Sequence, residues 1–388
     1  MTWDLTTLGE SGDWVSGGTP STSNPDFWGG DIPWISSKSL TEFLVKDSDR
    51  RVTELGATKG TKLVPKDTIL MVVRGMSLKS EFRMGITQRE VALSQDLKGL
   101  LPSDRFHPMF LAYALKARTS EVLGMVDEAG HGTGRLQTDR LFALKTPVPP
   151  IEEQRSIAAT LGALDDKIES NRRLVELIPG LIRARVLHSI EEGAQRVPVS
   201  SLASFVNGGA YTKHASGTGR MVIRIAELNG GPGGSTVYND IDVPGDKTAR
   251  PGDILMSWSG SLGVYRWARD EAIINQHIFK VIPSTYPAWL VFDRADAVIE
   301  TFRAIARDKA TTMGHIQRGH LDSTLIEVPA PEAVQCLDHT LGPMWERLLV
   351  AERESLRLAA LRDALLPELL SGRIRVPEAA AVVQDGTE

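Results

Sequence analysis

The residue types that carry enzyme chemistry are all present in this 388-residue sequence, but none stands in a pattern that such chemistry needs. The eight histidines are scattered, and His315 and His320, five apart on an expected loop, make a poor metal pair. No His-Glu-x-x-His occurs. One cysteine, Cys336, permits neither an internal disulfide nor a cysteine-based zinc cluster. The phosphate-cradling pattern G-x-x-x-x-G-K-S/T is absent, and the glycines of GHGTGR suit a turn better than a nucleotide loop. The acidic proline-aromatic tetrapeptide of an adenine methyltransferase is missing too. Asp165 and Asp166 fall on a helical stretch, where a solvated face accounts for them. No catalytic or metal-ligating residue is assigned, and the sequence reads as a non-catalytic protein.

What the sequence spaces regularly is apolar. In the stretch Thr146 to Ile190, Pro147, Pro149 and Pro150 stop the preceding strand, and Glu152 and Glu153 supply an acidic first helical turn. Leu161, Leu164, Ile168, Asn171, Val175, Ile178 and Ile182 then recur at alternating spacings of three and four, the seam one helix offers to another. Adding 180 to the numbering finds a second copy. Gly134 and Gln137 fall on Gly314 and Gln317, Val148-Pro149 on Val328-Pro329, Glu152 on Glu332, and Leu161-Gly162 on Leu341-Gly342. The second seam reads Leu341, Met344, Leu348, Ala351, Ser355, Leu358, Leu361 or Arg362, and Leu365. The chain is therefore expected to be two half-molecules, each a globular part followed by a long helix of about 30 residues, roughly 45 Å. Pro179-Gly180 is expected to kink or end the first helix, at about 3 kcal/mol if packed inside.

The predicted organisation is α+β, with globular α/β parts at 1–150 and 196–330, helical spacers at 151–195 and 331–375, and a frayed tail at 376–388. Composition is ordinary, 41% hydrophobic and 24% charged, and no apolar run approaches the roughly 20 residues of a membrane helix. The start, MTWDLTTLGE, lacks the basic and apolar regions of a secretory signal, which points to the cytoplasm. Net charge is −5, but residues 1–150 carry 18 basic against 18 acidic side chains and residues 196–330 carry 14 against 13. The helical segments hold the excess acid, 6 against 8 for residues 151–195 and 6 against 10 from 331 onward. Charge neither establishes nor excludes a polyanionic partner.

Within the first globular part, SGGTPSTSNP and WGGD are turns, and Ile32–Ile35 is a short strand emptying into Ser36-Ser37-Lys38-Ser39. A Pro-Lys-Asp turn leads into a buried strand from Ile69 to Val73 that ends at Arg74-Gly75. Residues 106–124 read as an amphipathic helix, and GHGTGRLQ as a turn before the last strand. The second part repeats the order. Met221–Ile225 replaces the strand around Ile35, and Pro251 and Asp253 match Pro65 and Asp67. Then come the strand INQHIFKVIP, the helix PAWLVFDRADAVIETFRAIARD and TMGHIQ, which restates TGRLQ. Scaffold positions agree between the halves while loop positions differ, as expected of one fold binding two different things.

SGGTPS, WGGDIPWISSKSL, PKDTILM, PGDILMSWSG, the run GTGRLQTDRLFALKTPVPPIEEQRSIAATLGALDDKIESNRRL and the C-terminal LLPELLSGRIRV resemble the specificity (S) subunits of type I restriction–modification systems, over residues 8–375. The proline-bounded helix followed by Glu-Gln-Arg and Leu-Gly-Ala-Leu-Asp is the specific part. The resemblance implies two target-recognition domains joined by two long helices that pair as an antiparallel coiled coil with an internal pseudo-two-fold repeat. It implies double-stranded DNA as ligand, each domain reading one half of a gapped site. Methyltransferase (M) subunits, two of them, and restriction (R) subunits are the implied partners, with no membrane involved. S-adenosylmethionine, ATP and magnesium are then used by those subunits, and none by this chain. A spacer of about 45 Å would separate the half-sites by roughly 13 base pairs.

On that implication, DNA contacts are expected from Lys38, Arg74, Ser77, Lys79, Arg83, Arg135 and Gln137 in the first domain. Those expected in the second are Tyr211, Lys213, Arg224, Ser257, Ser259, Arg266, His315, Gln317 and Arg318. Arg74 and Arg135 are candidates to read guanine bidentately and Gln137 adenine. Gln137 and Gln317 match between halves, which favours a scaffold role for both. The helix-pair seam of Leu161, Leu164, Ile168, Asn171 and Val175 with Leu341, Met344, Leu348, Leu358 and Leu365 is core, and polar Asn171 can set its register. The sequence departs from the family pattern where the second Pro-Pro-x-x-Glu-Gln motif becomes VPAPEAVQC. A non-catalytic protein-binding scaffold with two heads on a coiled coil is the alternative reading, and a nucleotide-using enzyme the weaker one.

Overall fold

The computed structural model describes residues 3–129, 133–213, 215–308 and 314–377. The chain forms two compact units, Met1–Asp166 with Leu358–Glu388, and Lys167–Arg357. Each is mixed helix and sheet and includes one stretch of a pair of long helices, Ile151–Glu192 and Pro331–Ser371.

In the first unit a five-stranded sheet runs in the order Gly12–Ser16, Leu97–Pro102, Ile69–Val72, Met84–Thr87, Leu44–Val45. Its central strand, Ile-Leu-Met-Val, is wholly buried, which explains a continuous apolar run where alternation would mark one wet face. A second sheet places Trp28–Ile35 between Arg51–Val52 and Val91–Leu93. The helix Pro108–Lys116 lies over this core with Phe110 to Leu115 buried. Its Tyr113 hydroxyl donates to Asp165 at 2.7 Å, and Arg362 donates to the other Asp165 oxygen at 2.5 Å. Asp165 is thus not on a solvated face, as the sequence suggested, but in a lock between the long helices and the globular part. Burial, then Asp165 itself, pushes the Tyr113 phenol well above its ordinary value and keeps it a donor. Leu161, Leu164, Leu358 and Leu365 are buried in the same unit. Glu153 meets Arg375 and Asp165 meets Arg362, so the helices run antiparallel in this unit.

The second unit has a four-stranded sheet, Ala203–Asn207, Ile278–Pro283, Ile254–Ser257, Gly263–Arg266, and a companion sheet built on Arg220–Ile223. Its main core joins Ile182, Val186, Leu341, Trp345 and Leu348 of the long helices to Trp289 and Phe302 of the helices above them. The seam residues Ile168, Val175 and Met344 are half-buried. Asn171 is fully buried, and its amide donates to Glu354 at 2.8 Å, a carboxylate that Lys167 also approaches at 3.3 Å. Burial pushes Glu354 up, but the Asn171 and Lys167 contacts outweigh it and hold the carboxyl below its usual range.

Several expectations are corrected. The first long helix passes through Pro179 without ending. Pro179 forfeits one backbone bond, while Ile178 and Ile182 on either side of it pack on the core and hold the helix together. Residues 106–124 form two helices, Pro108–Lys116 and Thr119–Leu123, and residues 288–308 likewise form Ala288–Ala297 and Ile299–Asp308. The segment expected as a strand to Ile225 ends at Ile223, because Arg224 caps the helix Ile225–Gly230. Asp67 corresponds to Gly252, not Asp253. Both have positive φ, 68° and 97°, and both donate a backbone N–H across the same turn, to Thr87 and Trp267.

Candidate nucleic-acid interface

The segment GTGRLQ was expected as a turn. Residues Thr133–Leu136 are instead the centre of a three-stranded ribbon, flanked by Val126–Ala129 and Arg74–Gly75, while residues 130–132 lie outside the described ones. Pairing puts Gly134 opposite Gly75 and Arg135 opposite Arg74. A Cβ at Gly134 would come within 2.8 Å of the Leu78 side chain, so only glycine lets the ribbon close on itself there. Leu136 is buried and donates its N–H to Val73, anchoring the ribbon to the end of the central strand.

Arg74 and Arg135 are both exposed. Like charges directly opposite on a sheet are destabilising, by something on the order of 0.2–1 kcal/mol. Arg135 has Asp127 as its other cross-strand neighbour. That carboxylate is engaged by Arg140 at 3.1 Å and by the Gln137 amide. Asp96 is pushed up by burial, and Arg74 pulls it back only in part. Among the described residues neither guanidinium has a carboxylate within ion-pair distance. Two cations held side by side on an exposed ribbon suit an external anion or hydrogen-bond acceptor.

The second unit builds the same joint with other side chains. Gly260 donates to Gly314, Ile316 donates to Trp258, and Ser259 pairs with His315 in an isolated antiparallel bridge. These contacts correspond one for one to Gly75–Gly134, Leu136–Val73 and Arg74–Arg135. Trp258 was not singled out in the sequence. Its indole donates to Asn207 at 2.8 Å, and its ring lies 5.5 Å from that of His277 and 6.4 Å from that of His315. Its signal was its place in SWSG, the segment that restates the one carrying Arg74.

The remaining candidates divide. Lys38, Lys79 and Lys213 are exposed, and Tyr211 is half-buried. Ser77 has a buried hydroxyl. Gln137 and Gln317 occupy the same place, each at the residue before the helix that follows, Thr138–Phe142 and Arg318–Ser323. Arg83 donates to the Ser37 carbonyl and to Glu81, and Arg318 donates to the Phe205 carbonyl at 2.6 Å. Arg224 is tied to Glu227 at 2.6 Å and to the Ser235 carbonyl at 2.7 Å. Two expectations fail outright. Ser257 is fully buried and donates to Ser261 at 2.6 Å. The Arg266 side chain is 4% exposed, bonded to Glu352 at 2.9 Å and stacked on Trp345, so it packs the sheet on the long helix and cannot reach a ligand. The Ser259 side chain is also largely buried, leaving His315 as the exposed member of its pair.

Among the described residues no group of histidine, cysteine and acidic side chains is disposed to hold a metal ion, and no helix is long and apolar enough to cross a membrane. Residues 1–179 match the family model of the type I restriction modification DNA specificity domain. That match spans 46% of the chain, and over it the chain is similar to type I restriction–modification specificity subunits. It is 33% identical over 181 residues to the EcoR124I/EcoR124II specificity subunit of Escherichia coli, a match covering 46% of this chain and 44% of that one. That alignment therefore spans less than half the length of the relative. Against the MjaIX specificity subunit of Methanocaldococcus jannaschii, identity is 22% over 418 residues, 97% of this chain and 94% of that protein. The fold is similar to the crystal structure of the S subunit from M. genitalium, with a TM-score of 0.60, 14% identity, and coverage of 95% and 96% of the two chains.

Proposed function

We propose that this chain is the non-catalytic DNA-reading subunit of a type I restriction–modification assembly. Each globular unit contacts one half of a two-part site in double-stranded DNA. The long helices fix the gap between the halves and dock two methyltransferase subunits. Restriction subunits join the same complex, and S-adenosylmethionine, ATP and magnesium are used by the partner subunits. The setting is the cytoplasm. The observation that supports this reading best is the repeated ribbon joint. Its backbone pairing is the same in both units, while the paired residues differ, Arg74 with Arg135 and Ser259 with His315. A constant frame with variable side chains is what two heads reading different sequences need.

The test is salt dependence. The chain assembled with its methyltransferase subunits should bind a duplex carrying its site with a log affinity that falls linearly with log salt. About five phosphate contacts would give a slope of roughly −4 to −5. An affinity indifferent to salt, or equal for duplexes with and without the site, contradicts the reading.

A further inference from the structure

Resting on that DNA-reading role, we infer that the first unit reads guanine from the major groove through Arg74 and Arg135, so that its half-site contains two G·C pairs at neighbouring steps. The second half-site carries no such requirement.

Arg74–Gly75 is the short edge strand of the three-stranded ribbon, paired with its centre Thr133–Leu136, and the major groove, which admits an element two strands wide, can take this edge with its exposed arginines. Arg74 and Arg135 are direct cross-strand partners, which puts their Cα atoms about 4.5–5.5 Å apart. Base pairs follow each other at about 3.4 Å along each strand. Two long, flexible side chains from such a pair can therefore address neighbouring steps.

The chemistry then selects the base. A guanidinium offers paired N–H donors and no acceptor, and in the major groove guanine presents two acceptors, N7 and O6, side by side. Adenine offers one acceptor beside a donor, and cytosine a donor, so neither can satisfy the arginine fork. The ribbon keeps these forks available. Asp127, the acid nearest in register to Arg135, is held by Arg140 and Gln137. Gln137 is thereby spent on the scaffold and is not the adenine reader that its residue type suggested. Met76, two residues beyond Arg74, is 64% exposed, an apolar surface suited to a thymine methyl beside the guanines.

In the second unit the corresponding pair has one small, largely buried hydroxyl and one imidazole. That pair carries no guanidinium, and the arginines expected to contact DNA in this unit, Arg224, Arg266 and Arg318, are each engaged by the fold.

The experiment is binding-site selection from a randomised duplex pool with the assembled complex, for the wild-type chain and for Arg74→Ala and Arg135→Ala. The wild type should enrich a two-part motif. In one half, each variant should relax one of two neighbouring G·C positions by about tenfold in discrimination, leaving the other half unchanged. A two-part wild-type motif without neighbouring G·C pairs in the affected half overturns the inference while the DNA-reading role stands. So does a variant that weakens all sequences equally, which would make the arginines phosphate contacts. A wild-type pool with no enriched motif overturns the reading role itself.

Discussion

Arg74 and Arg135 in the first unit, and Ser259 and His315 in the second, stand at corresponding joints, a three-stranded ribbon in one and an isolated antiparallel bridge in the other. Around them the glycine pair, the buried anchor and the glutamine before the next helix recur, as Gly75–Gly134 and Gly260–Gly314, Leu136 and Ile316, Gln137 and Gln317. What differs is the chemistry offered outward, two guanidiniums in one case and an imidazole beside an indole in the other. The contrast teaches where a repeated fold stores its individuality. Backbone positions that close the joint are held by glycine and a buried aliphatic, whereas the pair between them differs in charge and size from one unit to the other.

That comparison can be broken experimentally. The largest effect is expected from Arg74→Ala combined with Arg135→Ala. At about 1–3 kcal/mol for each bidentate contact, affinity for the cognate duplex should fall about thirtyfold or more, with melting temperature nearly unchanged. Unfolding of the double variant would show instead that the ribbon needs these residues. A smaller change, about tenfold at positions of the second half-site, should follow His315→Arg, read by competition among duplexes altered in that half alone. If the first half responds instead, the two joints are not independent. The smallest effect belongs to Gln137→Ala. Loss of its bond to Asp127 should lower stability by about 1 kcal/mol in chemical denaturation. The sequence preference should not alter; a changed preference would restore Gln137 as a base reader.

Much of this architecture is legible in the sequence because it depends on local and periodic signals. The seam of Leu161, Leu164 and Ile168, the proline stop before Ile151, and the shared offset of the two halves all lie within short windows. The ribbon was not legible as a ribbon. Thr133–Leu136 pairs with Val126–Ala129 on one side and with Arg74–Gly75, some 60 residues earlier, on the other, while its glycines read locally as a turn. The same limit applies to candidate residues. Arg135 and Arg266 look alike in sequence, each following a strand or turn. Burial alone separates them, since Glu352 and Trp345 of the second long helix claim Arg266. Pro179 was misjudged for the opposite reason. Its local cost is real, but core packing on both sides of it outweighs the lost bond.

The most direct test of the account exchanges residues 1–150 for those of a relative, in a host that also expresses the methyltransferase subunit, and maps the methylated bases across the genome. The account predicts adenine methylation at a gapped, two-part motif, with one half replaced by the exchange and the other half retained. Methylation without a two-part motif, or an exchange that alters both halves at once, would contradict it.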